Sequence, residues 1–194
     1  TSYPESLMGA IALLRQTYLD AKWYATQKEE YNISLAEFNR QQNLPQIFDA
    51  DNWQDILRAD KVGDEAGKHY MFKSGGDEYQ RLDLVKGTYG ALIVPINFPK
   101  PFDVEDPADA RKLSLAQMKH WELAPTNPAA LEKAEVMFAI TSFGLDAKEF
   151  WANLRKAIEY GLSEKQALRA LTEVPAQLLG IQDKVGSLEK NKLA

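Results

Sequence analysis

The sequence predicts an α/β chain with about four parallel strands and flanking helices. Two observations carry this. Short apolar stretches recur at 46–49, 69–72, 91–95 and 136–141, and helical periodicity fills the intervals between them. Strands that alternate with helices pair in parallel through right-handed crossovers. The run Ala91-Leu92-Ile93-Val94-Pro95 is continuously apolar, as expected of a parallel strand buried on both faces.

The elements follow in order. Residues 5–27 form a long amphipathic helix, with Leu7, Met8, Ile11, Leu14, Tyr18, Leu19, Ala21 and Trp23 near the helical period and Pro4 suited to its first turn. Ser34-Leu35-Ala36-Glu37 is a capping box that opens a short helix over 34–41, and Asn43-Leu44-Pro45 stops it. After the first strand, 51–67 is helical, with Trp53, Ile56, Leu57 and Val62 on one side and Gly67 as its cap. Ser74-Gly75-Gly76 closes the second strand, and 78–85 is a short helix ending near Gly87.

Residues 97–107 carry Pro99, Pro101 and Pro107 and read as an extended loop. A capping box, Ser114-Leu115-Ala116-Gln117, starts a helix that ends near Trp121. Pro125 to Pro128 turns the chain into a helix over 129–134, and the fourth strand follows. The remainder is helical over 146–160, 163–171 and about 175–179, with Ser163-Glu164-Lys165-Gln166 as a third capping box. Four such βα units suit either an open sheet or half of a (β/α)8 barrel.

Composition narrows the function. The 194 residues include 23 basic and 28 acidic side chains, two histidines and no cysteine, for a formal charge of −5. Without cysteine there is no disulfide, thiolate-held metal or thiol nucleophile. The acidic balance disfavours a nucleic-acid partner. No apolar run reaches the roughly 18 residues of a membrane helix. A soluble protein of the cytoplasm or periplasm is expected, and no secretory signal follows Thr1. His69 and His120 supply at most two imidazoles, where hydrolytic metal sites usually combine several with carboxylates.

Particular residues carry a resemblance. The segment from Gly161-Leu162-Ser163 through Ala167-Leu168-Arg169-Ala170-Leu171-Thr172, then Pro175-Ala176, Leu179-Gly180, Gly186-Ser187-Leu188 and Lys192-Leu193-Ala194, resembles the C-terminal signature of the amidohydrolase superfamily. The stretch from Pro4-Glu5-Ser6-Leu7-Met8-Gly9 to Arg15 is similar to a mid-barrel helix of the imidazolonepropionase-like branch. So are Asp55-Ile56-Leu57-Arg58-Ala59 and Gly75-Gly76-Asp77-Glu78-Tyr79.

The resemblance implies that 1–194 is the C-terminal part of a (β/α)8 barrel. The family's His-x-His strands would lie upstream of Thr1, and the rest of a small β-domain beyond Ala194. It also implies hydrolysis of C–N bonds, in non-peptide amides or cyclic amidines, by water activated on a divalent metal such as zinc.

The sequence departs from the family where the ligands belong. Phe48 and Ser74 stand at the two expected histidine positions, and Ala139-Ile140-Thr141-Ser142 offers no carboxylate where the last strand should. No metal ligand and no catalytic residue are therefore assigned within this chain, and no cofactor is evident in it. The rival expectation is a catalytically degenerate barrel domain that serves as scaffold or ligand-binding module of a larger protein.

The candidate substrate-binding residues are Asp77, Glu78, Asn97, His120 and Glu122. Asp77 and Glu78 follow a strand on the catalytic face, and they equally suit the N-cap and first turn of their own helix. His120 and Glu122 form an acid/base pair, or His120 simply caps its helix. Asn97 opens a loop that closes over a ligand or merely connects. His69 reads as structural, Asn127 as a turn residue, and Trp53, Trp121 and Trp151 as packing. The expected partners are a small-molecule substrate and, because four strands leave two open edges, the other barrel half or a second copy.

Overall fold

The structure is a computed structural model that describes residues 3–27, 30–88 and 90–193. Thr1, and Ala194 at the end of the C-terminal signature, lie outside the described residues. Most helices start where a short polar side chain can accept from an early backbone amide. Ser6 caps α1 (Leu7–Thr26), Asn52 caps α3 (Trp53–Ala66), Ser114 caps α6 (Leu115–Leu123) and Asp146 caps α8 (Ala147–Glu159). Gly67 ends α3 at φ 67°, a conformation that glycine adopts without strain.

Two caps differ from expectation. The helix α2 (Ile33–Gln41) is capped by Asn32, whose side chain accepts from the Leu35 amide at 3.1 Å. Ser34 therefore sits inside the helix, and Glu37 pairs with Arg40 instead of closing a capping box. The helix α9 (Glu164–Leu171) is capped by Ser163 as expected, but the reciprocal contact to the Ser163 amide comes from Glu132 at 2.9 Å. Glu132 belongs to a different helix, α7 (Asn127–Lys133).

The four strands are β1 (Ile47–Asp49), β2 (Met71–Lys73), β3 (Leu92–Pro95) and β4 (Phe138–Thr141). They pair in parallel in sequence order, which is the arrangement of half a (β/α)8 barrel. The segment read as one helix over 78–85 divides into a 3-10 turn (Glu78–Gln80) and α4 (Leu82–Val85). A one-turn helix, α5 (Pro107–Ala110), interrupts the proline-rich loop, and α10 (Glu173–Leu178) follows α9.

Side chains alternate across a sheet. Phe72, Leu92, Val94, Phe138 and Ile140 face the helices and are buried with Ile56, Leu131, Leu154 and Ala157. Phe48 shares this side, its ring 5.4 Å from that of Tyr70. The opposite face carries Ile47, Asp49, Met71, Lys73, Ile93, Pro95, Ala139 and Thr141. Ile47 is 55% exposed there. Register places Asp49, Lys73, Ile93 and Ala139 in a single row across all four strands. No helix among the described residues is long and apolar enough to cross a membrane.

Candidate functional site

The C-terminal ends of the strands bring together three groups of side chains. The first lies on the open face. Lys73, the last residue of β2, places its Nζ 3.0 Å from both carboxylate oxygens of Asp49 on the neighbouring strand. The ring of Phe143, in the loop after β4, lies 3.7 Å from the same nitrogen, close enough for cation–π attraction. The Thr141 hydroxyl accepts from the Phe143 amide at 3.3 Å and so fixes this loop.

This row changes where the family's metal ligands would be sought. Phe48 turns to the helices and Ser74 is buried, so the strand-end positions that face the barrel interior are Asp49, Lys73, Pro95 and Thr141. An ammonium has no lone pair to donate, and here it pairs with the Asp49 carboxylate. The donor set does not fit a divalent cation. Nor does any other group of three His, Cys, Asp or Glu side chains among the described residues.

The second group is a buried hydrogen-bonded chain around Glu78, which is 0% exposed. The Gly76 amide donates to Glu78 Oε1 at 3.1 Å, and Asn127 Nδ2 donates to Oε2 at 2.5 Å. Asn127 Oδ1 accepts from the Tyr79 amide at 2.8 Å. The Tyr79 hydroxyl lies 3.1 Å from His120 Nδ1, with the two rings stacked. Burial pushes the His120 pKa below its usual value, opposed by the charge of Glu78.

The third group is centred on Asp77, which supplements the Asn52 cap of α3. The first amide of that helix, from Trp53, donates to Asp77 Oδ1 at 2.8 Å. Asp77 makes no cap contact within its own turn. Burial, then the neighbouring charge of Glu78, raises its pKa to about 6.

The five candidates therefore divide. Asp77, Glu78 and His120 meet in one polar region, but Glu122 does not join it. Residues two apart on a helix face different ways, and Glu122 is exposed on α6. The expected His120–Glu122 pair is thus replaced by His120–Tyr79. Asn97 lies apart, packed against Gly144. Trp53 packs against the core, whereas Trp121 and Trp151 are largely exposed. Asn127, read as a turn residue, is buried and central to the network.

Asp49, Lys73 and Asn127 are the residues that sequence reasoning misses. The period-2 alternation of Ile47-Phe48-Asp49 and Met71-Phe72-Lys73 is the signal that finds the first two.

Comparison with known families gives the chain its place. The amidohydrolase family matches residues 87–194, more than half of the chain. The chain belongs to the amidohydrolase family. No curated protein matches the sequence.

Among solved structures, this amidohydrolase chain is similar to an amidohydrolase from Thermotoga maritima MSB8, with a TM-score of 0.74 and 21% identity. That likeness covers 97% of this chain and 49% of the other. A Xaa-Pro dipeptidase with bound methionine in its active site aligns over 84% of this chain and 39% of its own, at TM-score 0.52 and 21% identity. An uncharacterised protein aligns over the same shares, with a TM-score of 0.54 and 17% identity. These likenesses show the fold. The chain spans half or less of the length of each of these structures.

Proposed function

We propose that this amidohydrolase chain is half of a catalytically degenerate barrel, serving a larger protein as scaffold and ligand-binding module. The Asp49–Lys73 pair carries the reading, because it puts a fixed positive charge where a metal-binding half would put a lone pair.

The test uses the longest natural protein that contains the chain, assayed against a panel of non-peptide amides and cyclic amidines. No turnover sensitive to a chelator is expected. Chelator-sensitive turnover, or stoichiometric zinc that is lost on Asp49→Ala, overturns the reading.

The family match over 87–194 favours a second reading. In it the whole protein hydrolyses C–N bonds by metal-activated water, in the manner of the imidazolonepropionase-like branch, with zinc held by strands outside this chain. Zinc-dependent turnover unaffected by Asp49→Ala supports this second reading.

Both readings share a consequence. β1 and β4 are edges, and Ile47, Met137 and Phe143 are more exposed than large apolar side chains usually are in a closed core. Residues 1–194 produced alone are expected to pair with the remaining barrel half or with a second copy. Sedimentation velocity checks this, and a stable monomer at micromolar concentration contradicts it.

A further inference from the structure

The open face is not the only feature at the C-terminal ends of the strands. A cleft of about 380 Å³ opens between the loop after β3 and the first turns of α8, a volume within the range of small-molecule sites. Its floor is built by structure. Asn153 on α8 donates to the Ile96 carbonyl at 2.7 Å and ties the helix to the end of β3. Lys100 lies at the mouth, 3.2 Å from Glu149, and the two cancel.

That leaves Lys156, which is partly buried, with its Nζ between the Phe98 ring at 6.0 Å and the Tyr160 ring at 5.9 Å and no carboxylate partner among the described residues. The side-chain amide of Asn97 lines the same cleft and makes no hydrogen bond among the described residues. An unpaired ammonium, an unpaired amide and an aromatic face thus converge on one space.

We propose that this cleft binds a small planar carboxylate, with its anion on Lys156 and Asn97 and its ring against Phe98. Charge selects the class. The three ionisable side chains lining the cleft sum to one positive charge, and the Lys100–Glu149 pair leaves Lys156 as its source. A neutral amide of the same shape would satisfy Asn97 but not the ammonium. The proposal does not depend on whether the barrel is active, since no residue of the Asp49–Lys73 row takes part.

Benzoate is a suitable probe, with benzamide as its neutral counterpart, in a titration of the protein followed through the Asn97 side-chain amide resonance. Saturable binding of benzoate is expected, about fivefold or more tighter than benzamide. Lys156→Gln should abolish that preference, Lys156→Arg should retain it, and Lys133→Ala, at an exposed lysine of α7, should leave it unchanged. No saturable shift with benzoate overturns the proposal. So does equal binding of the two probes, or a Lys156→Gln protein that still prefers benzoate. Asn97→Ala, at an exposed position and titrated by calorimetry because it removes the reporter amide, should weaken both probes.

Discussion

Replacing Gly75 with alanine is expected to destabilise the fold by about 3 kcal/mol or more, near the upper end of overpacking effects. A Cβ at this position would lie 2.0 Å from the Asp51 carbonyl oxygen and 2.7 Å from its carbon. Both are backbone atoms of the loop between β1 and α3, so no side chain can rotate away. Relief requires that loop to move. It holds Asn52, which caps α3 through the Asp55 amide, and it borders the Trp53 amide bonded by Asp77. One methyl group therefore disturbs a helix start and two strand ends together.

Gly76→Ala is the control. Gly76 has φ 84°, where alanine is strained by roughly 1 kcal/mol. Its Cβ would meet nothing closer than the Pro95 carbonyl oxygen at 3.6 Å. Urea denaturation of the two variants should rank Gly75→Ala well below Gly76→Ala. Equal midpoints would mean that the loop yields freely and that the close approach is not a constraint.

The second large effect concerns an isosteric change. Glu78→Gln removes one acceptor oxygen from a buried site in which both oxygens already accept. Whichever way the new amide turns, its NH2 faces a donor, either the Gly76 amide or Asn127 Nδ2. Asn127 cannot turn over in response, because its Oδ1 is held by the Tyr79 amide. The expected loss is about 2 kcal/mol, or roughly 4–8 °C in Tm for a chain of this size.

The direction of the hydrogen bonds also predicts a rescue. In the double variant E78Q/N127D, the new side-chain amide at position 78 would accept from the Gly76 amide through its oxygen. Its NH2 would donate to the new carboxylate at position 127, which still accepts from the Tyr79 amide. Complementarity returns, with the charge moved across to the neighbouring partner. A double-mutant cycle by thermal denaturation should show a favourable coupling. Strict additivity of the two changes would mean that the network does not act as a unit.

How much of the site can be read in advance depends on how local each signal is. Gly67, Ser114 and Asp146 cap the helices they adjoin, because the cap and its amide lie within four residues. The same residue types mislead when the amide belongs to another element. Asp77 reads as the cap of its own turn and instead accepts from the Trp53 amide at the start of α3, 24 residues away. Ser163 completes its box with Glu132, 31 residues away. Asn127 carries every mark of a turn residue beside Pro128, yet it is a donor that satisfies Glu78. Burial decides these roles, and burial is a property of packing. The His120–Glu122 pairing fails on helix geometry alone, since two residues of separation turns the side chains apart.

The chain by itself determined the α/β class, the alternation of four strands with helices, and the family, through its C-terminal segment. Each of these rests on local periodicity or contiguous motif, so no contact between distant residues was needed. Only the tertiary structure decided which strand residues face the barrel interior. A strand shows one face or the other according to register, and a shift of one residue exchanges Phe48 for Asp49 and Ser74 for Lys73. The scarcity of histidine was legible from the outset. That a lysine–aspartate pair stands at the ends of β1 and β2 became visible only when parallel pairing set the two strands side by side and brought the two side chains within 3.0 Å.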